Sequence, residues 1–464
     1  MRNFIKKTAG LLPSQQTIAY SAPVLITYWL LTPVSLIQGI YAKYYGLPLT
    51  AIAAVVFAAR LFDAISDPVI GVCSDRYHAR GGSRKPFVLC GALLFIVSAY
   101  YFYAPGDTVT VRYFCIWFIL LFLSYTLFEV PHLTWGSELS DKPQQRTQLF
   151  STRAAAGYCG LIIFYSIPLL PFFETKDITP ETLKYSVTAA GLLMLPAIFY
   201  CIKNVPDGER VIKAAPPKIV RPPLKQRLQP ILQNRAYLLF LGFVLFAGIC
   251  MGMWYALIFL YVDTYLLKGE LFAQMFLLSF IIGLVSTPLW SFLALRYNTK
   301  VALAVGMILP AISCFATGLL TPESSHFLAL LLVKSLNTLG FYSFLVLAPV
   351  LLATIIDHTQ QRFGVDQRAT FYALFTFSQK SNLAIGTAIS LAIAGVYGFD
   401  ASQTVHSENS LFGLRLAIVW LPPVFMALAL WLLFLIPLAK TGGHSSLPVA
   451  ADGSGNDLAS LNKV

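Results

Sequence analysis

Charge is scarce in this chain. Of 464 residues only 12% are Asp, Glu, Lys or Arg, against 57% hydrophobic, too little charge to solvate soluble domains of that length. The six histidines (His78, His132, His326, His358, His406 and His444) are dispersed, and neither an HExxH string nor a GxSxG elbow occurs, which argues against a membrane enzyme. The seven cysteines stand singly, most inside apolar runs (Cys90, Cys115, Cys159, Cys250, Cys314). With no CxxC pair or Cys/His cluster at metal-ligand spacing, no cofactor and no metal centre are expected from these residues. The start, "MRNFIKKTAGLLPSQQ", lacks a short apolar region followed by a cleavage site, so the first span is expected to be its own insertion signal. The tail "TGGHSSLPVAADGSGNDLASLNKV" reads as a short disordered end, which leaves a sensor without an output domain.

What the chain has in abundance is long apolar runs. A hydrocarbon core of about 30 Å needs roughly 20 apolar residues per helix. Such windows centre near Leu30, Phe57, Phe95, Leu120, Ile162 and Leu192, and again near Val244, Ile281, Val305, Val346, Phe377 and Phe425. The expected fold is an all-α membrane protein of twelve transmembrane helices in two six-helix halves. Its expected parts are a cytoplasmic N-terminus (1–18), a first bundle (19–202), a basic, proline-rich cytoplasmic linker (203–236), a second bundle (237–438) and a cytoplasmic tail (439–464). The formal charge of +12 lies in short loops rather than on one solvated face, so it orients the chain and does not bind nucleic acid. Arg2, Lys6, Lys7, Arg76, Arg80, Arg84, Lys85, the linker, Arg296 and Lys300 all fall on one side, which places both termini in the cytoplasm.

The halves look like copies. Pro68 is followed eight residues later by Arg76-Tyr77, and Pro288 eight residues later by Arg296-Tyr297. "DKPQQR" after the fourth span recurs as "DHTQQR" after the tenth, as a duplicated transporter would show.

Against the apolar background the string "RLFDAISDPVIGVCSDR" stands out. Arg60, Asp63 and Asp67 lie at i, i+3 and i+7, one stripe of a helix. Each would cost about 2.5–3.5 kcal/mol facing lipid at mid-bilayer, so the stripe should face a polar interior. Glu129 in the fourth span, Arg153 in the fifth and Lys380 in the eleventh add further intramembrane charge. Arg60 with either aspartate could be a purely structural pair, but so many ionisable groups on separate spans point to a transport pathway. Three converging carboxylates suit Na⁺, and a desolvated carboxylate could carry H⁺ instead. The second half has Thr287 where Asp67 precedes Pro68, so the cation site is placed in the first half. Lys380 could neutralise an acid, bind the solute, or do each at a different stage.

"RLFDAISDPVIGVCSDR", "PHLTWGSELSDKPQQRTQLFSTR" and "APVLLATIIDHTQQRFGVDQRATFYALFTFSQKSNLAIG" resemble the signature regions of the glycoside-pentoside-hexuronide:cation symporters, the melibiose permease-like branch of the major facilitator superfamily. The resemblance implies Asp63 and Asp67 as cation ligands, with Glu129 where the family has an aspartate shared between cation and sugar. It implies Arg153 and Lys380 at the substrate, while the stripe itself makes Arg60 the charge partner of the aspartates. It also implies a cytoplasmic gate from Asp75, Arg76, Arg84 and Lys85; the repeated motifs add Asp141, Arg146, Asp357 and Arg362. A first-span acid that grips sugar is missing, since no charged residue lies between Lys7 and Lys43, and two family tryptophans align with Leu133 and Leu345. Trp29, Trp254 and Tyr255 could replace those aromatic platforms.

The implied activity is Na⁺- or H⁺-coupled symport of a small organic solute by alternating access, in a monomer of the bacterial inner membrane. A sugar, glycoside or sugar acid is the first expectation. The eleventh-span motif also resembles that of lysophospholipid symporters, which makes an anionic amphiphile the alternative.

Overall fold

Backbone N–H and C=O groups in hydrocarbon find no water, so a spanning segment must satisfy them internally as a helix. The computed structural model, which describes residues 14–106, 108–139, 143–207, 233–363, 368–403 and 405–437, is helical throughout its long elements. In chain order these are α1 (Gln15–Tyr45), α2 (Leu49–Ala79), α3 (Lys85–Tyr103), α4 (Val111–Glu138), α5 (Pro143–Ser166) and α6 (Pro180–Asn204), then α7 (Arg235–Tyr265), α8 (Phe272–Arg296), α9 (Thr299–Leu319), α10 (Phe327–Phe363), α11 (Arg368–Val396) and α12 (Glu408–Leu435). The expected linker core 208–232 and tail 439–464 lie outside the described residues, as do residues 1–13.

Among the described residues ten helices have the length and hydropathy to cross a bilayer. The two that fall short, α5 and α11, are those around Ile162 and Phe377 that carry Arg153 and Lys380. Within the bundle α5 packs on α1 and α8, and α11 on α7 and α2. Polar caps mark several entries into the apolar layer, with Thr110, Thr179, Asn234 and Ser407 each accepting from a first-turn N–H.

Two ends of the bundle differ. At the terminal end, Gln15 bonds Asn204 (3.2 Å) and Lys300 Nζ donates to the carbonyls of Phe434 and Ile436 (2.8 and 2.9 Å), contacts that stay within one half. At the opposite, distal end the halves meet. Gly395 of α11 lies so close to Thr50 N and Leu49 of α2 that a Cβ would come within 2.9 Å of the backbone nitrogen. On the same side Tyr165, near the end of α5, stacks on Phe276, near the start of α8, at 5.2 Å between ring centroids. The halves therefore enclose a space that is sealed toward the distal end.

Candidate functional site

That space is a cavity of about 490 Å³ walled by α1, α2, α4 and α5 of the first half and α7, α8, α10 and α11 of the second. Its wall is largely aliphatic and aromatic, interrupted by Gln38, Thr32, Ser35, Tyr255 and Thr387, and Arg60 is the charged group in it. Gln38 Oε1 is buried without a partner. Such a pocket suits a solute held by apolar faces and oriented by a few polar groups.

A side lobe of about 220 Å³ shares Leu31, Arg60 and Phe122 with the main cavity and adds Asp63, Asp67, Tyr125, Thr126 and Lys380. The stripe of α2 thus meets α11 of the other half. Arg60 Nη1 donates to Asp63 Oδ2 at 3.1 Å, and its guanidinium lies 4.2 Å above the Phe122 ring. Asp67 Oδ1 accepts from Thr126 Oγ1 (2.8 Å), and its Oδ2 accepts from Lys380 Nζ (3.3 Å). Asp63 Oδ1 is buried with no partner. Lys380, rather than touching the main cavity, occupies the place where a cation would neutralise Asp67.

Glu129 departs from the expected grouping. It is not in the wall of the lobe; it is buried in a salt bridge with Arg153, which joins α4 to α5. Arg153, expected at the substrate, is likewise absent from the cavity wall. Low dielectric explains the pairing, because two buried opposite charges within reach hold each other far more cheaply than either stands alone. Trp254, expected to face the solute, is instead fully buried, its indole donating to Thr317 Oγ1 at 3.1 Å. It backs the wall, whereas Tyr255 forms part of it.

At the terminal end Arg84 Nη2 reaches Asp75 (2.9 Å) and Glu138 (2.8 Å) while Nη1 donates to Ser74, and Lys85 lies 3.7 Å from Asp207. These contacts tie α2, α3 and α4 together. Arg76 is exposed, and so is Asp357 near the end of α10. Asp141 and the side chains of Arg146 and Arg362 lie outside the described residues.

Two features escaped the sequence reading. At the distal end Lys43 Nζ meets Asp263 Oδ2 at 2.6 Å, an ion pair between α1 and α7 that bridges the halves. Asp177, in the loop before α6, faces the same cluster; burial and the Asp263 charge push its carboxyl above the ordinary range. Within α10, Lys334 is wholly buried behind the cavity wall. A lysine inside the apolar run "FLALLLVKSLNTLG" was the signal that could have found it.

Comparison with known proteins identifies the architecture. A family model described as MFS/sugar transport protein matches residues 19–440. The chain is 26% identical over 403 residues to the putative glycoside/cation symporter YagG of Escherichia coli K12, covering 84% of this chain and 85% of that one. It is 25% identical over 414 residues to a glucuronide carrier protein homolog of the same organism, covering 86% of each. In three dimensions it is similar to the nucleoside transporter NupG, with a TM-score of 0.65 at 12% identity over 90% of this chain and 97% of that one. The chain belongs to the MFS/sugar transport protein family, in keeping with its resemblance to the glycoside-pentoside-hexuronide:cation symporters. It is a multi-pass membrane transporter with the all-α major facilitator fold, not an enzyme.

Proposed function

We propose that this family member couples the downhill entry of Na⁺ or H⁺ to uptake of a sugar, glycoside or sugar acid by alternating access. The observation that carries the reading is the side lobe. Two carboxylates of α2, one with an oxygen lacking any partner, adjoin the interdomain cavity and meet a lysine from the opposite half. The relatives' names speak for sugar-like solutes and lend nothing to the amphiphile alternative.

Asp63 and Asp67 are the cation ligands, and Lys380 is the internal cation that holds Asp67 while the coupling ion is away. An arriving ion displaces Lys380, which breaks one tie between α2 and α11 and couples ion binding to movement of the halves. Arg60 stands in the walls of both spaces, so it senses the ion through Asp63 and the solute through the cavity. Glu129 joins the ligands only if Arg153 releases it. Lys43–Asp263 closes the distal side in this conformation, and the Arg84 cluster stiffens the terminal side of the first half. Twelve spans, cytoplasmic termini, a bacterial inner membrane and a monomeric unit complete the proposal.

The test is uptake into proteoliposomes with an imposed Na⁺ or H⁺ gradient and a panel of neutral and acidic sugars. One of the two gradients should drive accumulation. Asp63→Asn should cut gradient-driven uptake at least about tenfold, a loss worth ~1.4 kcal/mol. Full accumulation by that variant would remove Asp63 from the cation site.

A further inference from the structure

At the distal end one lysine faces two carboxylates. Lys43, near the end of α1, donates to Asp263 Oδ2 at 2.6 Å, and the Asp263 side chain is almost fully buried. Asp263 stands in the middle of the π turn Tyr261–Tyr265 that ends α7. Asp177, from the loop before α6, lies within electrostatic reach of both, and Glu270 adds to the negative charge around it. Its Oδ1 is buried and has no hydrogen-bond partner among the described residues. Gly269, in the turn before α8, lies between the two aspartates: a Cβ there would run into Asp263 Oδ1 and come within 2.7 Å of Asp177 Oδ1. The two oxygens are therefore neighbours, and the missing side chain lets both close on the turn.

The charges are divided unevenly between the halves. Lys43 and Asp177 belong to the first half and Asp263 to the second. With the seam closed Lys43 serves Asp263, while an ionised Asp177 stands beside a like charge with one oxygen unbonded, which opposes closure. When the halves part, the Lys43–Asp263 pair must break, and attraction in low dielectric makes that separation costly until water enters. A carboxylate that moves with Lys43 offsets the cost, because the ammonium passes from one oxygen to another without being left alone.

We infer that Asp177 is a positioning residue for the transport cycle: it is the second seat of Lys43, taking the ammonium from Asp263 as the distal side opens and returning it on closure. This rests on the proposed alternating access and names the group that eases its distal step. The two aspartates then act in opposite directions on the same lysine, Asp263 holding the seam shut and Asp177 favouring its opening.

Thr108 and Glu323 are exposed on distal loops of the first and second halves. Spin labels on cysteines placed there, with the seven native cysteines replaced, give the distance across the seam by pulsed electron resonance. The full-length protein is measured in lipid nanodiscs, without solute, in a mildly alkaline buffer that ionises Asp177. A short and a long distance report the closed and the open seam. Asp177→Asn should raise the closed-to-open ratio at least about threefold, Asp263→Asn should lower it by a similar factor, and Asp177→Glu should stay near the native ratio. Where the native seam is too tightly closed to show an increase, the same comparison is made on Gly395→Ala, whose methyl group pushes against Thr50 and parts the seam. Two distances whose ratio Asp177→Asn leaves unchanged, or a shift in the same direction for both Asn variants, would overturn the exchange while leaving alternating access in place. A single distance in every variant would overturn both.

Discussion

α2 and α8 are counterparts in the two halves, and they treat the same positions differently. Arg60 and Phe280 each stand eight residues before a proline, Asp63 and Gly283 each five before it. Arg60 and Phe280 both reach the central cavity, one from each side. In α2 the position three residues further on is an acid that pairs with Arg60. In α8 it is a glycine against which Tyr342 and Thr338 of α10 pack, and a Cβ there would lie 2.5–2.6 Å from their side chains. That close approach brings α10, and with it Lys334 one turn before Thr338, up to the cavity wall. In one copy of the repeat this position is an acid paired on its own helix; in the other it is a glycine that lets a neighbouring helix, with the wholly buried Lys334, come close.

The contrast predicts unequal costs. Glu129→Ala, which strands Arg153 in the paired half, should lower stability by about 3–5 kcal/mol, seen as a fall in the thermal midpoint of the purified protein. Lys334→Met should leave the midpoint unchanged or higher, because an apolar chain of similar length replaces a wholly buried amine with no acid partner among the described residues. The reverse ranking would break the comparison.

Gly283→Ala sharpens it. Forcing a methyl group against Tyr342 and Thr338 should cost about 1–3 kcal/mol, read from the same melting curves. A variant as stable as the native protein would show that the close approach of α10 to α8 does not depend on a glycine at 283.

The smallest effect belongs to the distal seam, where the halves share charges. Asp177 is easier to protonate in the folded protein than in the unfolded chain, because burial and Asp263 disfavour its ionised form. Its contribution to stability is therefore present below the ordinary carboxylate pKa and is lost as pH rises through the raised one. Asp177→Asn should raise the midpoint by about a degree at neutral pH, with the gain vanishing on acidification in a pH series of melting curves.

Part of the site was legible in one dimension. The i, i+3, i+7 stripe of Arg60, Asp63 and Asp67 follows from helical periodicity, and Lys380 from the rarity of charge in an apolar run. Partnership was not legible. Arg153 lies 24 residues from Glu129, Lys43 lies 220 from Asp263, and Lys380 lies 313 from Asp67. Spacing along one helix cannot say which carboxylate a distant cation will reach. Trp254 and Tyr255 are sequence neighbours of similar chemistry, yet helix rotation turns one into the core and the other into the wall.

Composition alone determined that this chain lives in a bilayer, because so little charge and so much apolar length leave internally bonded helices as the stable form. Repeated motifs pointed to a duplication. Tertiary structure alone decided which charges neutralise each other, since in low dielectric that outcome is fixed by a few ångströms of separation between helices remote in the chain.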